Sequence, residues 1–241
     1  MCTLEKRGDL FVLTLTGAGE HRLNPTLLDA ISAALRRVKA ETSTSSALIT
    51  TAQGKFFSNG YDLAWAKSSD PIITSSDRFR VMSSKFRSLV ADLISLRMPT
   101  IAAVSGHASA GGLILALCHD YVLMRKDRGF LYMSELDIGL KIPPWLFAIL
   151  RCKIGSPAAL REVALRAAKL TAETAVDKGV IDSAHDSAEE TVEAAMRLGE
   201  ELVGRRWDGH VYGEVRKAVM PEVLEAIAAV DKVSTTIPSR L

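Results

Sequence analysis

The residue types that could do chemistry crowd into one stretch, Gly106 to Trp145. A β-prone run, Thr100 to Ser105, leads into the small-residue turn G-H-A-S-A-G-G, and an apolar run of helical length, Leu113 to Cys118, follows. Strand, glycine-rich turn and helix is an arrangement by which a chain aims backbone N–H groups at negative charge. A second β-like run, Tyr121 to Met124, comes next, and the approach to the following turn carries a lone acid, Glu135. The stretch reads as an N–H trap for an anion facing one carboxylate. Spacing alone leaves plainer readings open. Gly111 and Gly112 could serve packing alone, and Glu135 could be an ion-paired carboxylate at a strand end. His107 and His119 lack a zinc-site pattern and read first as hydrogen-bonded structural histidines.

The elements that must position this stretch can be read from period and punctuation. Thr3 to Lys6 and Leu10 to Thr16 read as a strand pair around Arg7-Gly8-Asp9. Asn24-Pro25 starts a helix with a capping residue and a first-turn proline, and Leu27, Leu28, Ile31, Leu35 and Val38 recur at helical spacing. Ala47 to Thr51 is a short buried strand closed by Gln53-Gly54. The block K-F-F-S-N-G-Y-D-L, Lys55 to Leu63, reads as a β-to-α turn around Ser58, Asn59 and Gly60. Residues 68–77 read as a mobile surface loop, and Phe79 to Leu96 as a helix ending before Met98-Pro99.

After Trp145 the pattern is helical. Gly155 ends one helix, Ser156-Pro157 starts the next, and Thr171 opens a short one that closes at Lys178-Gly179 before a strand-like Val180-Ile181. Ser187 to Glu190 is a capping-box pattern for a helix running to about Val203. From Val211 a last amphipathic segment, interrupted at Pro221, carries Val223, Leu224, Ile227 and Val230 on one face.

Composition narrows the classes of function. The chain has 241 residues, 48% of them hydrophobic, enough for one large domain or a domain with an appendage. Mean hydropathy of +0.14 suggests apolar surface hidden in an oligomer. A net charge of +2 argues against nucleic acid or an anionic membrane as the main partner, and no apolar run approaches the ~18 residues of a membrane helix. Cys2, Cys118 and Cys152 have neither metal-ligand spacing nor the look of a disulfide framework, so a reducing compartment is expected. The N-terminus shows no apolar signal core.

Three blocks together, F-F-S-N-G-Y-D-L, G-H-A-S-A-G-G-L-I-L-A-L-C-H-D-Y and S-E-L-D-I-G-L-K-I-P-P-W, resemble the signatures of the crotonase (enoyl-CoA hydratase/isomerase) superfamily, in order over residues 3–200. Within it the chain is most similar to the Δ3,Δ2-enoyl-CoA isomerase group, particularly its plant peroxisomal members. The resemblance implies an α/β fold of the ClpP/crotonase type, a spiral of ββα units over residues 1–200, with a helical trimerisation region over 201–241. It implies acyl-CoA thioester substrates, a homotrimer or hexamer, no metal, and no cofactor beyond the coenzyme A of the substrate itself.

By position, the resemblance implies that backbone N–H groups of Tyr61 and Gly111 hold the thioester oxygen. The backbone around Ser58 and Asn59 would contact the adenine end of coenzyme A, and Gly60, Asp62, Ile114 and Trp145 would complete the substrate site. Family hydratases use two glutamates. Here Glu135 occupies one position and Ile114 the other, and Lys141 to Pro144 offer no acid where other peroxisomal isomerases carry theirs. One carboxylate can move a proton from C2 to C4, whereas adding water needs a second group to hold the water. The implied activity is therefore transposition of a 3-enoyl-CoA double bond to the trans-2 position, as in β-oxidation of unsaturated fatty acids. The alternatives are an atypical enoyl-CoA hydratase and a non-catalytic acyl-CoA-binding subunit. Ser239-Arg240-Leu241 resembles the S-K-L peroxisomal address, which a receptor reads at a free C-terminus, so a peroxisomal location and an import-receptor partner are expected.

Overall fold

The computed structural model describes residues 1–17, 19–42, 45–68 and 73–229. The chain opens with an antiparallel pair, β1 (Cys2–Arg7) and β2 (Leu10–Leu15), followed by helix α1 (Pro25–Glu41). Asn24 caps α1 by accepting from the amide of Leu27 at 3.0 Å, and Leu27, Leu28, Ile31, Leu35 and Val38 are all buried. Strands β3 (Ala47–Ala52) and β4 (Phe56–Ser58) come next, then helices α2 (Leu63–Lys67) and α3 (Ser75–Ile94). The pattern repeats as β5 (Thr100–Val104), β6 (His107–Ser109) and α4 (Gly111–Leu117), and again as β7 (Tyr121–Arg125), β8 (Leu131–Tyr132) and α5 (Pro144–Lys153).

In each repeat the first strand joins a large sheet and the second a small one. The large sheet has the order β1-β2-β3-β5-β7 and is closed by β9 (Ser183–His185), all parallel after the first pair. The small sheet is β4-β6-β8, also parallel. This is the expected spiral of ββα units.

Helices α6 (Pro157–Leu165) and α7 (Ala172–Asp177) lead to β9, and α8 (Ala188–Gly204) then crosses the large sheet. The sheet is buried on both faces: Leu48, Ala102 and Val104 enter the main core, while Ile49, Ile101 and Ala103 pack with Ala194, Ala195 and Leu202 of α8. Burial on both faces is why β3 and β5 carry no charged residue.

The last helices, α9 (Gly209–Val219) and α10 (Pro221–Ala228), fold back on their own chain. The buried Arg216 guanidinium donates to both carboxylate oxygens of Asp120, at 2.7 and 2.5 Å, and to the carbonyls of Ile94, Leu96 and Met98. Asp120 also accepts from the amide of Thr100 at 2.8 Å and the hydroxyl of Tyr212 at 3.2 Å. The guanidinium thus ties α9 to the end of α3 and, through Asp120, to the turn after α4. Helix α10 packs on α5 and α3, with Val223 buried.

Three boundaries differ from the sequence reading. Helix α3 begins at Ser75, so residues 75–77 of the expected loop are its first turn; the Ser/Asp composition there belongs to a cap in which Thr74 accepts from the amide of Asp77 at 3.1 Å. The edge strand falls at Ser183–His185, because pairing with Leu123 to Arg125 selects it, while Val180 and Ile181 are buried in the turn before it. Helix α2 had no separate sequence expectation. Val230 and Ser239-Arg240-Leu241 lie outside the described residues.

Candidate active site

The three strands of the small sheet run parallel, so the loops that leave β4, β6 and β8 emerge at one end. Those loops carry Tyr61, Gly111 and Glu135.

After β4 the chain turns at Gly60, whose φ of 68° suits glycine. A Cβ there would lie 3.0 Å from Ala110 Cβ and 3.1 Å from the Gly111 nitrogen, so the turns after β4 and β6 are in contact. The Gly60 carbonyl accepts from the amide of Leu23 at 2.7 Å. A trans peptide sets N–H opposite to C=O, which directs the Tyr61 amide away from Leu23. Gly111 opens α4, where the Ala110 carbonyl accepts from Ile114 at 3.1 Å; by the same rule the Gly111 amide points back out of the helix, and a first-turn amide has no acceptor within it.

Ala110 carries strain, with φ 51° and ψ −121°, a region costing a side-chain-bearing residue about 1–3 kcal/mol. Its amide is held by the Tyr132 carbonyl at 2.8 Å. The packing reading of the paired glycines applies to Gly112, where a Cβ would fall 2.1 Å from the Ser58 carbonyl oxygen.

Glu135 follows β8, on a turn closed by the Leu140 amide donating to the Glu135 carbonyl at 2.8 Å. It is 7% exposed, and its Oε2 has no hydrogen-bond partner. Burial pushes its pKa up from 4.5 to about 7, opposed by a bond from its own backbone. It makes no ion pair among the described residues, so the strand-end ion-pair reading does not apply. Asp137, the other acid of the block, is exposed. Ile114 is fully buried and apolar, on the first turns of α4.

A row of rings borders the amide pair. Phe86 Cε1 is 3.5 Å from where a Gly111 Cβ would stand, and the Phe86 ring meets Tyr61 edge-on at 5.8 Å and Trp145 at 5.5 Å. Tyr61 in turn meets Phe79 at 5.3 Å. Phe79 and Phe86 of α3 were legible in the sequence only as helix periodicity, with no signal marking them as site residues.

Other expected residues hold the loops. The Ser58 hydroxyl donates to the His21 carbonyl at 2.8 Å, and the Asn59 amide donates to the Glu20 carbonyl at 2.9 Å while its side chain donates to the Glu20 carboxylate. Asp62 caps α2 through the Trp65 amide at 2.9 Å and accepts from Asn24 at 3.1 Å. His119 is a hydrogen-bonded structural histidine, and His107 makes ring contacts. His119 is buried between the Leu115 carbonyl and the Thr50 hydroxyl, and burial pushes its pKa down to about 4. The His107 ring lies tilted between Phe56 and Phe130, with its pKa lowered by burial and then by Lys55, Lys169 and Arg128. Among the described residues, no three His, Cys, Asp or Glu side chains gather into a group able to hold a metal ion.

Residues 9–232 match the enoyl-CoA hydratase/isomerase family. The chain is 62% identical to enoyl-CoA delta isomerase 1, peroxisomal, of Arabidopsis thaliana, over 93% of this chain and 91% of that one. It is 52% identical to enoyl-CoA delta isomerase 2, peroxisomal, of the same plant, over 98% and 99%. In fold it is similar to a crystal structure of a probable enoyl-CoA hydratase from Mycobacterium tuberculosis, with a TM-score of 0.83 at 23% identity over 94% and 91% of the two chains.

Proposed function

The chain belongs to the enoyl-CoA hydratase/isomerase family, and we propose that it is a peroxisomal Δ3,Δ2-enoyl-CoA isomerase in which Glu135 is the single acid–base group. The observation that carries this reading is a buried carboxylate with one oxygen unpartnered, on the third loop of a sheet end whose other two loops present the Tyr61 and Gly111 amides. The identity to two peroxisomal delta isomerases supports both the activity and the compartment.

The thioester oxygen accepts from the two amides. Glu135 takes the proton from C2, and the electron pair moves onto that oxygen as an enolate conjugated with the 3,4 double bond. Preorganised donors of this kind contribute about 3–4 kcal/mol each to the transition state. Glu135 then returns its proton to C4, leaving a double bond between C2 and C3 and the carboxylate in its starting state. A pKa of about 7 matches this task, since the group both accepts and releases a proton near neutral pH.

Ile114 discriminates against hydration: fully buried and apolar, it offers no lone pair to a water on the far side of the substrate. The backbone of Ser58 and Asn59 borders the coenzyme A, Gly60 and Asp62 shape the turn carrying the Tyr61 amide, and Trp145 closes the acyl side. No cofactor is needed beyond the coenzyme A of the substrate. A trimer or hexamer is supported by the row of exposed valines on α9, Val211, Val215 and Val219, and an import receptor would read Ser239-Arg240-Leu241.

The test is Glu135→Gln assayed with a 3-enoyl-CoA by conjugation at the thioester. Turnover should fall more than about a thousandfold with acyl-CoA affinity kept within a few-fold, and more than about a tenth of wild-type turnover, a loss under ~1.4 kcal/mol, refutes the assignment.

A further inference from the structure

His21 is buried, 7% exposed, and holds a backbone conformation that residues with a Cβ seldom adopt, with φ 47°. Its ring lies between two main-chain oxygens: Nδ1 is 2.8 Å from the Phe56 carbonyl and Nε2 is 3.2 Å from the Gly17 carbonyl. A ring nitrogen bonds to a carbonyl only by donating, so either neutral tautomer ties the ring to one of these oxygens and the charged ring is tied to both. The main chain of the same residue makes a further bond, its carbonyl accepting from the Ser58 hydroxyl at 2.8 Å. Phe56 and Ser58 are the first and last residues of β4, so one residue grips both ends of the strand that leads to the Tyr61 turn.

The grip continues past the strand. Strand β4 is an edge of the small sheet, with β6 on one side only. Residues 20–23 run as a strap along the other side. The Glu20 carbonyl accepts from the Asn59 amide at 2.9 Å, the Gly60 carbonyl accepts from the Leu23 amide at 2.7 Å, and Leu23 forms a parallel bridge with Tyr61. The Gly60 carbonyl and the Tyr61 amide belong to one planar peptide, so the bond that fixes the first sets the direction of the second. Leu23 comes two residues after the left-handed His21, and the course of the chain into its amide is set there.

We infer that His21 is a positioning residue for the isomerisation: its ring ties the strap to β4, which keeps the Leu23 amide on the Gly60 carbonyl and the Tyr61 amide aimed at the thioester oxygen. It acts through Leu23 and Gly60 and not on the substrate itself. The inference rests on the reading of the Tyr61 amide as one of the two donors to that oxygen. A donor to an oxyanion matters most once charge has developed, so loss of its aim lowers kcat and leaves KM nearly unchanged.

His21→Leu keeps bulk and removes both ring donors. It should lower kcat for a 3-enoyl-CoA about thirtyfold, part of the roughly hundred- to thousandfold that loss of a whole oxyanion donor costs, with KM within about twofold. His21→Asn places a side-chain N–H near the position of Nδ1 and tolerates a left-handed backbone, and it should restore kcat to within about threefold of wild type. The spectroscopic readout is the carbonyl stretch of a bound saturated acyl-CoA, 13C-labelled at the thioester carbon, by difference infrared. Donors to this oxygen polarise the C=O bond and lower its frequency. The band should lie below that of free acyl-CoA in wild type and in His21→Asn, and should move back toward it in His21→Leu. A His21→Leu kcat within threefold of wild type, a fall in kcat with the band unmoved, or an Asn variant as slow as the Leu variant overturns the inference. The second of these results is what packing alone would give.

Should His21→Leu not fold, Ser58→Ala removes the other grip, the hydroxyl on the His21 carbonyl. Its band should move in the same direction and its kcat fall about fivefold, the scale of one ordinary hydrogen bond; a band and a kcat both at wild-type values overturn the inference. Gly60→Ala acts on the Tyr61 turn directly and separates the two levels of the argument. If it leaves band and turnover unchanged, the reading of the Tyr61 amide fails; if it moves both while His21→Leu moves neither, only the role of His21 fails.

Discussion

Replacing Glu135 by glutamine should stabilise the protein, and by an amount that grows with pH. The native state holds this carboxyl at a pKa of about 7, against an ordinary value of 4.5. Between those values the native state keeps a proton that the unfolded chain has released, so ionisation opposes folding and stability falls as pH rises from about 4.5 through about 7. At 1.36 kcal/mol per pH unit, the penalty reaches about 3 kcal/mol at pH 8 and stays under about 1 kcal/mol at pH 5. The side chain is 7% exposed, so solvent screens little of it. Glutamine keeps the shape and carries no charge. Its amide has unmet hydrogen bonds of its own, but that offset does not depend on pH and cancels in the comparison. The assay is urea unfolding of both proteins at pH 5 and pH 8, at one protein concentration because oligomerisation enters the apparent stability. The variant should gain about 2–3 kcal/mol on wild type between the two pH values, about 5–10 °C in Tm for a chain of this size. A stability difference that is the same at both pH values, within about 0.5 kcal/mol, refutes the reasoning, because the carboxylate would then ionise without a burial cost.

Activity should run the opposite way to stability: kcat/KM for a 3-enoyl-CoA rises about tenfold from pH 6 to pH 8 as the ionised fraction of Glu135 grows from about a tenth to about nine-tenths, and a flat profile over that range contradicts it. Gly60→Ala should lower kcat about a hundredfold by displacing the Tyr61 amide, because the new Cβ meets Ala110 Cβ and the Ser109 carbonyl at 3.0 Å in a left-handed turn; turnover within threefold of wild type refutes the amide assignment. Arg216→Met leaves the half-buried Asp120 carboxylate without its guanidinium and should cost about 3 kcal/mol in urea unfolding; a loss below about 1 kcal/mol means that the network does not anchor α9. Deleting Ser239 to Leu241 should leave turnover unchanged and move an N-terminally tagged fluorescent fusion from peroxisomes to cytosol, an outcome read by microscopy.

The sequence disclosed the large sheet and the long helices because their signals are long. Six-residue uncharged runs such as Ala47 to Ala52, and capped helices such as Pro25 to Glu41, exceed the length at which period and caps can be read. The small sheet was not legible, since its strands span two or three residues and alternation needs more than that to register. Its existence follows from long-range pairing such as Phe56 with His107. The site was legible as residue types but not as roles. Gly111 and Gly112 are adjacent and identical in sequence, yet one borders the Tyr61 turn and the other lies against the Ser58 carbonyl. The Asp62 side chain caps the Trp65 amide and the Asn59 side chain donates to the Glu20 carboxylate, contacts with no local pattern to announce them. Asp120 and Arg216, 96 positions apart, show no local pattern that could have joined them.

What holds the two amides at a fixed separation is backbone sterics more than side-chain packing. Strand β6 lies against β4, with Gly106 just before it and Gly112 on the first turn of α4 beyond it. A Cβ on Gly106 would fall 2.2 Å from the Lys55 carbonyl oxygen, and one on Gly112 would fall 2.1 Å from that of Ser58. Neither contact leaves room for a side chain, so the approach of the two strands is set by main chain against main chain at both ends of a pair only three residues long. Main-chain contacts have no rotamers to relax through, and under the proposed function a donor pair fixed in this way would need no reorganisation when charge develops on the thioester oxygen. Conformational freedom is then concentrated in the third loop. In the proposed mechanism Glu135, whose Oε2 has no hydrogen-bond partner, would move between two carbons while the amides stay still. A reaction that leaves its substrate's oxygen in place and carries one proton from C2 to C4 calls for that division between a rigid oxyanion site and a mobile base.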